Sequence, residues 1–197
     1  MNESKSMKKT EVLVGMAIFT ALVVVLQQMA GVIRIGPFSP SLVLIPMVIG
    51  AAVYGAKAGA WLGLVFGVVV LIGCITGTDV GGNAMWVFNP AVTALICIGK
   101  GAAAGLLSGL TFRALQHKNQ ILATVAAAVV CPVVNTGLFC IGAVAVFRPL
   151  LEQWSGGTDL VTYVFMGLIG LNFLVEVGIN VVLSPVVVRI LHARNGN

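Results

Sequence analysis

Two ionisable residues stand inside long apolar runs, and the chemistry of this chain starts with them. Lys100 lies in the run 90–114 and Glu176 in the run 160–191. An ionisable side chain in hydrocarbon is costly, so it marks a partner, a ligand or a pathway. Asn135 lies near the middle of a third run, 120–147. At about 1.5 Å of rise per residue, Lys100, Asn135 and Glu176 fall within a few Å of one depth. Asn172, Glu176 and Asn180 repeat at i, i+4, i+8 and so share a helix face, as do Asn89, Thr93 and Lys100. Two readings follow, and they can coexist. In one, Lys100 and Glu176 form an internal ion pair that fixes helix register. In the other, the cluster is the polar floor of a cavity open to the outside. A neutralised pair would leave hydrogen-bonding groups for a neutral ligand, whereas an unpaired Lys100 would attract a carboxylate.

The segments between runs extend the candidate site. Segment 76–89 reads TGTDVGGNAMWVFN, with Gly81 and Gly82 as a source of mobility beside Asn83 and Trp86. Trp86 either stacks on a flat ligand or joins an aromatic belt at the headgroup level. Segment 31–40 supplies Arg34 between apolar residues and prolines. Trp154, in segment 148–159, reads as belt. The candidate binding residues are therefore Arg34, Asn83, Trp86, Asn89, Thr93, Lys100, Asn135, Asn172 and Glu176. Cys74, Cys97, Cys131 and Cys140 all fall in or beside apolar runs with no C-x-x-C and no histidine nearby, which reads as packing. No metal and no cofactor is expected. His117 and His192 sit among basic residues, away from any nucleophile. The chain has no G-x-x-x-x-G-K-[ST], so no P-loop ATP hydrolysis is expected from it.

The elements that must position these residues are membrane spans. Hydrophobic residues make up 59% of the 197 and charged residues 9%. Soluble domains carry about 25% charge, so a soluble enzyme or a nucleic-acid-binding domain is excluded. The net charge of +5 is then not a nucleic-acid footprint. A span needs about 20 mostly apolar residues. The sequence predicts an all-α integral membrane protein with six: 11–30, 39–55, 58–75, 90–114, 120–147 and 160–191. Residues 1–10 and 192–197 would be terminal segments flanking a six-helix binding domain, 11–191. The runs are continuous rather than alternating, which does not suit an outer-membrane barrel. With both termini cytoplasmic, the inside carries Lys5, Lys8, Lys9, Lys57, Arg113, Lys118, Arg189 and Arg194, and the outside only Arg34 and Arg148, a positive-inside bias.

Small residues mark where helices meet in lipid. Gly55, Gly59, Gly63 and Gly67 recur every fourth residue, and Gly101, Gly105 and Gly109 repeat the pattern. Both stripes read as internal packing faces. Ala17 and Ala21 form the same motif in the first span, where it either packs internally or docks another subunit.

In this order the pieces resemble a known family, the substrate-binding S component of energy-coupling factor (ECF) vitamin transporters. The resemblance rests on the span pattern, on Ala17-x-x-x-Ala21, and on Leu44-Ile45-Pro46 through Gly50 to Tyr54-Gly55 and Gly59. Gly101 to Gly109, Asn135-Thr136, and Asn172-Phe173-Leu174-x-Glu176 through Asn180 to Leu183-Ser184-Pro185 complete it. The resemblance implies a multi-pass protein of a prokaryotic plasma membrane that binds one micronutrient tightly on its outer side. It implies that spans four to six and the loops after spans one and three enclose the ligand. It also implies that Ala17 and Ala21 dock on a transmembrane coupling subunit driven by two ATP-binding cassette ATPases, and that the chain topples to carry its ligand inward. Pantothenate, riboflavin, folate and pyridoxine-like compounds all remain open as ligands. The alternatives are a stand-alone small-molecule transporter or channel, against which the lack of a 3+3 inverted repeat counts, and a membrane-embedded enzyme, against which the lack of a catalytic constellation counts.

Overall fold

The computed structural model describes residues 3–30 and 42–195. Its regular elements there are helical throughout. They run α1 (Glu3–Ala30), α2 (Leu44–Tyr54), α3 (Ala56–Thr76), α4 (Val80–Phe88), α5 (Pro90–Leu115), α6 (Gln120–Val146), α7 (Arg148–Ser155), α8 (Leu160–Tyr163) and α9 (Leu171–Asn195). A π-helical segment, Val164–Gly170, joins α8 to α9. Among the described residues four stretches are long and apolar enough to cross a membrane: Lys9–Met29 in α1, and α3, α5 and α6. The expected span 39–55 is in part the helix α2, whose 11 residues rise only about 17 Å, short of the ~30 Å hydrocarbon core; residues 39–41 lie outside the described residues. The last expected span is divided by the π-helical segment, and its apolar part, Phe173–Pro185, is also short. Helix α1 begins at Glu3 and α9 runs to Asn195, so both expected terminal segments are largely helical.

The ends of these helices follow from local chemistry. The Asn89 side chain accepts from Val92 N at 3.2 Å and Pro90 opens α5, a capped start that suits proline's fixed φ. Asn119 caps α6, its side-chain oxygen accepting from Ile121 N at 2.9 Å and Leu122 N at 3.1 Å. A single residue, Gly55, joins α2 to α3 with φ of 93°, a conformation open to glycine at little cost.

The two glycine stripes pack on each other. A methyl added at Gly59 would strike the carbonyl oxygen of Gly105, and one at Gly63 that of Gly101. At Gly67 it would stand 2.5 Å from the Cys97 carbonyl oxygen. The relation is reciprocal, since additions at Gly101 and Gly105 would meet the carbonyls of Gly63 and Gly59. α3 and α5 therefore touch backbone to backbone, the close approach that only small residues permit. Gly55 takes no part, having open space around it.

Beside this pair, α6 packs on α5 and α9 on α6. Leu44, Met47, Leu62, Phe66, Phe112 and Cys131 are buried in the main core. A smaller cluster of Cys140, Ala143, Leu151 and Val164 lies under α7 and α8. Helix α1 is peripheral. Of its described side chains only Val23 is fully buried. It is attached at a few points: Gly15 lies under the Tyr54 hydroxyl, Phe19 meets Tyr54 edge to face at 6.1 Å, and Trp61 Nε1 donates to Thr20 Oγ1 at 3.3 Å.

Segment 76–89 departs from expectation. It is not a mobile loop but the helix α4, with Gly81, Gly82 and Met85 buried. Asp79 caps it by accepting from Gly82 N at 3.1 Å. Gly82 is there because a side chain would strike Cys74 Sγ. Glycine in a loop sequence looks like freedom; here it is close packing.

Candidate functional site

Lys100 emerges from the middle of α5, one residue before the first glycine of the α3 contact. Its position lies about 15 Å along the helix from Pro90. The ammonium Nζ stands 5.8 Å from the centroid of Phe66 on α3 and 5.0 Å from that of Phe139 on α6. Both distances are within the range of cation–π attraction. Phe66 belongs to the main core and Phe139 packs on the smaller cluster, so the ammonium sits where the two meet. Cys74 and Cys97 face each other across α3 and α5, with 3.9 Å between sulfurs.

The expected Lys100–Glu176 ion pair is not formed. Among the described residues the salt bridge is Arg148–Glu152, exposed on α7 at 2.8 Å. The Lys100 ammonium is turned instead to the rings of Phe66 on α3 and Phe139 on α6. Similar depth in the sequence did not bring the two heads together.

Glu176 is nonetheless buried, 6% exposed, in a polar row on α9 with Asn180 and Ser184. Asn180 Nδ2 donates to the Glu176 carbonyl at 2.8 Å, and Ser184 Oγ donates to the Val181 carbonyl at 2.7 Å. Asn135 is 4% exposed, and its Oδ1 is buried with no hydrogen-bond partner among the described residues. Such an atom costs about 1–3 kcal/mol unless something donates to it. Asn135 and Phe139 are four residues apart on α6, so they share a face one turn apart, about 6 Å.

The remaining expected residues divide by what already occupies them. Asn83 Nδ2 donates to the Cys74 carbonyl at 2.8 Å, tying α4 to the end of α3. The Asn89 side chain caps α5, and buried Thr93 Oγ1 donates to the Asn89 carbonyl at 2.8 Å. Trp86 is half-buried and packs against the main core. Trp154 likewise packs on the smaller cluster. Asn172 is in α9, but its side chain lies outside the described residues, and Arg34 lies outside them altogether. Ala17 and Ala21 are both exposed on α1. Phe66 and Phe139 escaped sequence reasoning because phenylalanines in apolar spans carry no signal of their own. Among the described residues no cluster of three or more His, Cys, Asp or Glu side chains could hold a metal ion.

Long apolar helices, glycine packing between them and a half-buried lysine set against two aromatic rings define an all-α multi-pass membrane protein. Residues 11–188 match the family described as ECF transporter, substrate-specific component, and the chain belongs to that family. It is a membrane-embedded, non-catalytic binding subunit for ECF-type vitamin transport. Over 206 aligned residues, covering 98% of this chain and all of the relative, it is 31% identical to the pantothenic acid transporter PanT of Lactococcus lactis subsp. cremoris (strain MG1363). Its fold is similar to the structure of ThiT from Listeria monocytogenes, with a TM-score of 0.61 at 20% identity, covering 91% of this chain and 96% of that one.

Proposed function

We propose that this chain is the pantothenate-binding subunit of its transporter. The observation that carries the reading is Lys100, a cation set between two aromatic rings in mid-helix with no carboxylate within salt-bridge range among the described residues. The likeness to the L. lactis pantothenic acid transporter supports it. Pantothenate carries one carboxylate, one amide and two hydroxyls. Its carboxylate suits the Lys100 ammonium in a charge-assisted hydrogen bond. Its hydroxyl or amide N–H suits the Asn135 Oδ1, one helix turn along α6 from Phe139. Glu176 and Asn180 on α9 would complete the polar wall, with Arg34, Asn172 and the α4 residues Asn83 and Trp86 nearer the mouth. Asn89 and Thr93 would shape the site through the start of α5.

In this reading the chain crosses the membrane six times with both termini cytoplasmic, α2 and the α8–α9 unit being the two shorter crossings. The excess of Lys and Arg on the segments assigned to the inside supports that orientation. The exposed Ala17 and Ala21 would dock on a transmembrane coupling subunit, which works with two ATP-binding cassette ATPases. Mass spectrometry of the small molecules carried by the purified chain tests the ligand. Pantothenate at close to one per protein is the expected result; a different vitamin, displaced only by its own unlabelled form, would overturn it.

A further inference from the structure

Lysine side chains near a membrane surface ordinarily reach for water. Lys100 is half-buried, and its ammonium lies over ring faces from two different helices, Phe66 of α3 and Phe139 of α6. The negative face of each ring attracts the cation. This differs from an ion pair in one respect that matters for binding. A carboxylate partner would cancel the lysine charge, whereas a ring stabilises the charge and leaves it at +1. Ring contacts also leave the three N–H donors of the ammonium able to meet oxygen. The geometry behind this is fixed from below. Phe66 is 1% exposed, and a methyl at Gly101 would meet its Cδ1 at 3.1 Å. The glycine contact between α3 and α5 thus sets how closely Phe66 approaches the turn that carries Lys100. Asp79, whose field reaches Cys74 and Cys97, is held at the start of α4 by Gly82 N.

We propose that Phe66 and Phe139 are positioning residues that hold the Lys100 ammonium un-neutralised in the site, so that the site selects ligands by charge, accepting small carboxylates over their neutral or cationic analogues. The proposal rests on the reading of Lys100 as the carboxylate's partner and goes beyond it in assigning the selectivity to the rings. A cationic ligand would meet a fixed like charge in a low-dielectric setting, and a neutral one would leave the ammonium unanswered.

The test compares pantothenate with pantothenol, its neutral alcohol, by calorimetric titration of the purified full chain and of the Lys100→Met, Phe139→Leu, Phe139→Tyr and Phe66→Leu variants, with thermal stability measured alongside. Wild type should prefer pantothenate by about 100-fold, and Lys100→Met should erase the preference. Phe139→Leu should shrink it by about fivefold or more while the affinity for pantothenol changes less than about threefold, and Phe139→Tyr, which keeps the ring, should restore it. Phe66→Leu should act like Phe139→Leu wherever its folding is intact. If Phe139→Leu weakens both ligands equally, or leaves the preference unchanged while Lys100→Met erases it, the rings do not position the charge and the proposal fails while the reading of Lys100 stands. If wild type binds pantothenate no better than pantothenol, both fall together.

Discussion

A methyl added at Gly63 would probe how the binding site is held in shape. Built on the existing backbone, it overlaps the Gly101 carbonyl oxygen, stands 2.6 Å from the Gly101 carbonyl carbon and 3.1 Å from Ala102 Cα. All three are backbone atoms, so no side chain can rotate away. Ordinary contact begins at 3.4 Å, and α3 and α5 must part by close to 1 Å. A gap of that size forfeits about a quarter to a half of the dispersion attraction at each affected contact, and overpacking costs about 1–3 kcal/mol. Alanine returns about 0.8–1 kcal/mol of helix propensity. The net loss for Gly63→Ala is then about 0–2 kcal/mol, or up to roughly 8 °C in melting temperature for a chain of this length. Gly99→Ala is the control: it lies on the same α5 turn with nothing within 4 Å of the new methyl, so only the propensity gain should appear. The assay is tryptophan fluorescence during a thermal ramp in detergent, with pantothenate affinity measured in parallel. Because Lys100 adjoins Gly101, parting the helices also draws the ammonium away from Phe66, and affinity should fall for Gly63→Ala alone. Equal melting temperatures for the two variants, or a more stable Gly63→Ala, would refute the backbone contact.

Other expectations follow from individual contacts. Replacing Ala17 and Ala21 together with Leu should block assembly with the coupling subunit in a pull-down while pantothenate affinity holds, since both alanines are exposed on the peripheral helix; lost affinity with assembly intact would place them at the ligand instead. Trp86→Ala should lower stability by about 2 kcal/mol, a half-buried share of the usual aromatic truncation, and an unmoved melting temperature would return Trp86 to the headgroup belt. A double-mutant cycle of Lys100→Met and Glu176→Gln on thermal stability should show less than about 1 kcal/mol of coupling, because the Lys100 ammonium faces Phe66 and Phe139 rather than the Glu176 carboxylate; strong coupling would restore the ion pair.

How far the sequence discloses this molecule depends on how much of a feature is local. The glycine stripes at every fourth residue announced the α3–α5 contact because close backbone approach needs small residues on both sides, and spacing alone reveals it. Lys100, Asn135 and Glu176 were legible because polar residues stand out in apolar runs. Their partnerships were not, since these depend on how each helix is rotated: Lys100 turned to Phe139 rather than to Glu176. Helix α4 was hidden because Gly81 and Gly82 have low helix propensity, and tertiary contact with Cys74 is what explains Gly82. The π-helical segment at Val164–Gly170 has no composition that separates it from ordinary helix. Phe66 and Phe139 were invisible for a simpler reason, that an aromatic ring among apolar residues shows its charge-binding face only once a cation is seen against it.

The central claim, a pantothenate-binding subunit that does not transport alone, meets its most direct test in proteoliposomes carrying this chain without partners. Labelled pantothenate should bind outside-facing protein at up to one per chain and exchange with unlabelled vitamin, with no accumulation in the lumen under an imposed sodium or proton gradient. Accumulation driven by either gradient, or an absence of saturable binding, would contradict the account.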